Sequence, residues 1–152
     1  MSHPHPLTLP ASESYRFIAP NTPRAPRIAR DWVGSLLRTT DHPALVDAAR
    51  LCMSEVVTNA HRHTRTRLIH IEVTVGPAQV LVHVHDDQPR NLPVPELPRA
   101  DEAESGRGLA LVAAYADDWG ATGDGECGER GGTGVGVKSV WFALAERGAA
   151  AR

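Results

Sequence analysis

Two alternating runs joined by a Gly-Pro step constrain the fold of this chain more than any other feature. Ile69, Ile71, Val73 and Val75 alternate with His70, Glu72 and Thr74. After Gly76-Pro77, Val80, Val82 and Val84 alternate with Leu81, His83 and His85. Side chains along a strand point to opposite faces in turn, so each run carries one apolar face. With turn residues between them, the runs predict an antiparallel hairpin whose apolar face is covered by a helix layer. Pairing Val75 with Val80 sets His70 opposite His85 and Glu72 opposite His83 on the polar face. Three imidazoles and a carboxylate gathered there admit a zinc site, which makes a His-rich metal-binding protein one reading of the chain.

Asp86 continues the parity of Val80, Val82 and Val84, so its carboxylate is expected on the covered side. A buried acid needs a partner. The alternative is that Asp86 simply ends the strand and opens a turn.

Ahead of the hairpin, Tyr15-Arg-Phe17-Ile18-Ala reads as a short strand ended by Pro20 and Pro23. Ile28, Trp32, Val33, Leu36 and Leu37 recur at helical spacing, predicting a first helix over about 26–38. Asp41-His-Pro43 supplies a cap-like acid and a proline near the start of a second helix that runs to about His63. Within that helix Glu55, Asn59 and His63 fall every fourth residue, in one narrow stripe at about 100° per residue. Ala49, Met53, Val56, Val57 and Ala60 occupy another sector. One face therefore packs into a core. The other offers an acid, an amide and a ring nitrogen, which by themselves fit either a solvated face or a site.

After the hairpin, residues 88–105 carry Pro89, Pro93, Pro95 and Pro98 with little periodicity and read as a long, lid-like loop. Gly106-Arg107-Gly108 opens an apolar helical run from Leu109 to Tyr115. A glycine-rich helix start suits an anion, because unpaired N–H groups face outward and glycine lets a phosphate approach. Residues 119–122 read as a strand and 123–136 as a glycine-dominated connection. The run 137–144, with Val140, Phe142 and Leu144 alternating, reads as the closing strand. Helices on one face of a mixed or mainly antiparallel sheet make an α/β (α+β) two-layer sandwich.

Size and charge narrow the function. The 152 residues suit one domain, read as 14–146 between tails at 1–13 and 147–152. Sixteen basic against eighteen acidic side chains leave a net charge of -2, with no electrostatic footprint for nucleic acid or an anionic membrane. Cys52 and Cys127 lack metal-ligand spacing, no leader opens the chain, and no apolar run is long enough to span a bilayer. A reduced, cytoplasmic protein is expected.

The ordered pieces resemble the Bergerat-type ATP-binding fold shared by gyrase B, the Hsp90 chaperone, histidine kinases and the MutL repair protein. Within it they are most similar to the small RsbW/SpoIIAB-like anti-sigma-factor kinases common in actinomycetes. Leu51-Cys-Met-Ser-Glu55-Val-Val-Thr-Asn59-Ala-His-Arg-His63 resembles the N-box, and Val82-His-Val84-His-Asp86-Asp87 the adenine-binding strand. Glu104-Ser-Gly106-Arg-Gly108-Leu109 resembles the second glycine box, and Lys138-Ser139-Val-Trp141-Phe142-Ala-Leu144 the final strand. Four motifs in this order are far more specific than any one of them.

The resemblance implies ATP and Mg²⁺ as cofactors. It gives Glu55 the role of general base, Asn59 that of Mg²⁺ ligand, and Asp86 that of acceptor for the adenine amino group. Gly106, Arg107, Gly108 and Leu109 would meet the phosphates, Ser139 would lie near adenine, and His63 would shape the end of the site. A sigma factor and an anti-anti-sigma (STAS-type) protein are the implied partners, and a homodimer is an arrangement the branch uses. A nucleotide-dependent interaction module with weak or lost catalysis is the rival reading within the same fold.

Overall fold

The computed structural model describes residues 11–86, 110–122 and 139–147. Its elements are β1 (Glu13–Pro20), α1 (Ala25–Thr39), a 3-10 turn (Pro43–Leu45), α2 (Val46–His63), β2 (Leu68–Val75), β3 (Gln79–Asp86), β4 (Asp118–Thr122) and β5 (Ser139–Ala145). Residues 110–115 are helical ahead of β4. The strands form one five-stranded sheet in the order β1-β2-β3-β5-β4. Every neighbouring pair is antiparallel. The fold is therefore an α+β sandwich with α1 and α2 packed on one face of an antiparallel sheet, consistent with a Bergerat fold.

The hairpin register is the one its parity predicts: Val75 pairs with Val80, Glu72 with His83, and His70 with His85. Partners in a ladder share a face. Rows such as Ile71 with Val84 and Val140, or Val73 with Val82 and Phe142, therefore stack into one apolar layer. Ile69, Ile71, Val73, Val80, Val82, Phe142 and Leu144 are all fully or almost fully buried. From the helices, Ala29, Val33, Leu37, Ala49, Cys52, Met53, Val56 and Val57 meet them. Fully burying such a side chain contributes about 1.5–3 kcal/mol, so this layer is what holds the helices to the sheet.

Two expectations are corrected. The buried stripe of α1 is Ala25, Ala29, Val33 and Leu37, while Ile28 is exposed. Small alanines and Gly34 let α1 lie close to α2; a Cβ at Gly34 would stand 3.2 Å from the Arg50 side chain. Trp32, on the flank of that stripe, stacks on Phe17 of β1, with ring centroids 4.9 Å apart. Asp41 does not cap the second helix. It adopts φ 68, a left-handed conformation that Asp tolerates, and so turns the chain between the helices. The 3-10 turn then starts at Pro43 and α2 at Val46, neither with a side-chain cap.

That left-handed turn delivers His42 into the interior, where it is 3% exposed. Its Nδ1 lies 2.8 Å from Glu146 Oε2 and its Nε2 2.8 Å from the Gly76 carbonyl oxygen. One ring thus ties the loop between the helices to the hairpin turn and to the chain after β5. His42→Ala is expected to strand the buried Gly76 carbonyl and leave the part-buried Glu146 carboxylate without its partner, at a cost of roughly 1–3 kcal/mol, read as a lower urea midpoint with an unchanged m-value.

Candidate functional site

The site forms where β3 ends beneath the C-terminal half of α2. Strand parity carries Asp86 to the helix side, as Val80, Val82 and Val84 are carried, and its side chain is 3% exposed with Oδ2 buried. Across from it α2 presents Val56, Asn59 and Ala60. The helix stops at Thr64, which turns extended at φ -131 and ψ 163. The Ala60 carbonyl accepts from both the Thr64 backbone N–H, at 3.1 Å, and its hydroxyl, at 2.8 Å. These residues, with Val84 and Val140 from the sheet, line an open recess.

The lining has a definite chemistry. Val56, Ala60, Val84 and Val140 make apolar walls; Asp86 adds one buried carboxylate, and Asn59 and Thr64 add an amide and a hydroxyl. The chemistry of this lining matches a flat, mainly apolar ring with a polar donor edge, whose faces would meet hydrocarbon while its edge meets the acid. Glu55 is half-buried one turn before Asn59 on α2 and is not among the residues that line the recess. His63, the last residue of α2, is exposed, and Thr64 takes its place at the recess wall.

Ser139 is a correction. In the β3–β5 ladder it pairs with His85, not on the row of Asp86, and the next residue, Val140, is the one that faces the recess. A period of two leaves no intermediate choice, so the Ser139 hydroxyl belongs to the far face of the sheet. Thr64, Val84 and Val140 were missed as site residues. The signal for the two valines was present in the same parity that singled out Asp86; Thr64 carried none beyond its place after the helix. Gly106, Arg107, Gly108 and Leu109 lie outside the described residues, as do the 88–105 and 123–136 segments.

The set of three imidazoles and a carboxylate read from the sequence is not assembled. Glu72 is turned to Arg16, at 3.9 Å, and among the described residues no group of three or more His, Cys, Asp or Glu is disposed to hold a metal ion. Among the described residues, too, no helix is long and apolar enough to cross a membrane.

Residues 19–131 match the model of the histidine kinase-like ATPase domain. The chain belongs to that family. The match takes in α2 with Glu55 and Asn59, the hairpin with Asp86, and the 106–109 stretch, and it stops before β5. This ATPase domain is thus of the GHKL type, in a family that includes the RsbW-like anti-sigma factor kinases. A comparison with curated proteins found no match.

Cys52, on the core side of α2 and three residues before Glu55, is fully buried. Desolvation, helped by the nearby Glu55 carboxylate, pushes its thiol from 9.0 up to about 12. Above pH 9 the unfolded chain releases this proton while the folded one keeps it. The stability that the buried thiol contributes is therefore complete below pH 9 and is lost as pH rises towards 12. Cys52→Ala is expected to flatten this alkaline limb in urea titrations. In the native wild type, Cys52 should resist thiol reagents that label it on unfolding.

Proposed function

We propose that this ATPase domain is an anti-sigma factor with serine/threonine kinase activity, which phosphorylates an anti-anti-sigma protein and so controls transcription. The observation that carries the reading is the buried Asp86 carboxylate facing an apolar recess, with Asn59 on the helix opposite. The family match supports it, and the likeness of the Glu55–His63 stretch to the N-box supplies the kinase part.

On this reading Asp86 accepts a hydrogen bond from the exocyclic amino group of adenine, which selects against guanine, whose corresponding position is a carbonyl. Val56, Ala60, Val84 and Val140 hold the ring faces and exclude water from that bond. Asn59 offers its amide oxygen, a hard ligand suited to Mg²⁺ that leaves room for phosphate oxygens and water. Bound Mg-ATP would supply the transferable phosphoryl group and leave as ADP, with the magnesium ion offsetting the charge on the group in transit. Glu55, one turn back on α2, takes the proton from the incoming seryl or threonyl hydroxyl at its carboxylate. A positioned base is worth about 10²–10⁴ in rate.

Titration with Mg-ATP, Mg-GTP and ATP plus chelator tests the recess. ATP is expected to bind best, and only with Mg²⁺. Asp86→Asn should weaken ATP by roughly 10–100-fold, the worth of a buried charged hydrogen bond. Comparable affinity for both nucleotides would overturn the Asp86 assignment. Transfer of radiolabelled phosphate to a candidate STAS-type antagonist tests the chemistry. Glu55→Ala should keep ATP affinity within a few-fold while transfer falls about 10²–10⁴-fold. Saturable Mg-ATP binding with no transfer to any antagonist would instead assign a nucleotide-dependent interaction module.

A further inference from the structure

The far face of the sheet carries chemistry that the recess does not use. His70 of β2 and His85 of β3 pair across the ladder, and their rings stack with centroids 5.1 Å apart and planes at 9°. Both rings are half-buried. Their strands are flanked on both sides, β2 by β1 and β3 by β5, so neither ring stands on a sheet edge.

One ring nitrogen of His85 faces the backbone. Its Nδ1 lies 3.3 Å from the backbone carbonyl oxygen of Asp86. A carbonyl oxygen only accepts, so Nδ1 carries the hydrogen and the neutral ring has its lone pair on Nε2. A histidine that donates one ring N–H to a backbone carbonyl is held in orientation by it, which is the usual support behind a metal-ligating imidazole. His70 brings a second imidazole beside it on a rigid strand pair.

We propose that His70 and His85 form a two-imidazole site for a divalent transition ion such as Zn²⁺, on the sheet face opposite the recess. Imidazole nitrogen suits Zn²⁺, Cu²⁺ and Ni²⁺, whereas Mg²⁺ prefers hard oxygen, so this site and the one proposed at Asn59 draw on different ions. Ligation brings each Nε2 to about 2.0–2.1 Å from the ion, which requires the stacked rings to tip towards each other. Glu72, one step along the ladder, is engaged by Arg16 at 3.9 Å. Water therefore completes the coordination, and the site is weaker and more open than a four-ligand structural zinc. Its existence does not rest on the nucleotide reading.

The test uses the full chain without an affinity tag, titrated with Zn²⁺ by calorimetry and followed by ¹⁵N NMR of the histidine rings. The expected result is one Zn²⁺ per chain, with the Nε2 signals of His70 and His85 shifting together. His70→Gln and His85→Gln should each weaken Zn²⁺ by about tenfold or more. A His3→Gln/His5→Gln double variant should bind like the wild type. Melting in EDTA verifies that each variant folds; should one fail, the ring signals of the wild type still decide. Unchanged affinity in both single variants, or Zn²⁺ shifts confined to other histidines, overturns the proposal.

Discussion

The pairing of Val75 with Val80 is the constraint from which the rest of the structure follows. Once the Gly76 turn fixes that register, the period of two leaves no freedom over which side chains meet the helices. Valines and isoleucines of β2 and β3 go inward and the imidazoles go outward. A slip of one residue would bury His83 and His85 and expose Val82 and Val84, exchanging apolar burial for desolvated imidazoles. The same register places the carboxylate of Asp86 under α2. An acid in that position is costly unless its environment compensates it, and a nucleotide edge is one chemistry that does so.

Helix α2 resolves a second conflict, between packing and function. Its core side, Cys52, Met53, Val56 and Val57, is as dry as any part of the molecule. Glu55 and Asn59 sit on its half-buried shoulder, one turn apart. The raised thiol of Cys52 records how steep the boundary is: a few ångströms around the helix separate a position too apolar to ionise readily from one that carries a carboxylate. A rigid apolar seat on one side is what lets polar groups on the other be held in place without being drawn into the core.

Much of this was legible because it depends on short-range periodicity. The hairpin, its register and the inward Asp86 follow from alternation alone, and α2 follows from spacing. What escaped was set by distant partners. Ser139 was assigned beside adenine by likeness of motif, yet the pairing of His85 with Ser139 sends it to the far face. Ile28 looked like a core residue at helical spacing. The stripe that packs is instead the one bearing alanines, because close approach of α2 rewards small side chains there. Asp41 resembled a helix cap but serves as a left-handed turn that seats His42 between Glu146 and Gly76, residues far away in the chain. No local pattern announces a contact of that kind.

Asp86 also links the two faces of the sheet. Its carboxylate points into the recess, while its carbonyl oxygen accepts from His85 Nδ1 on the other side. A residue at a strand end, held only by its ladder, would be free to fray and carry its carboxylate away from the recess. The His85 bond opposes that fraying from behind, at the atom where the strand leaves the ladder. Whatever fixes the His85 ring therefore steadies the backbone that aims the acid. A half-buried histidine on the far face of the sheet thus contacts the backbone of the residue whose carboxylate is buried on the other.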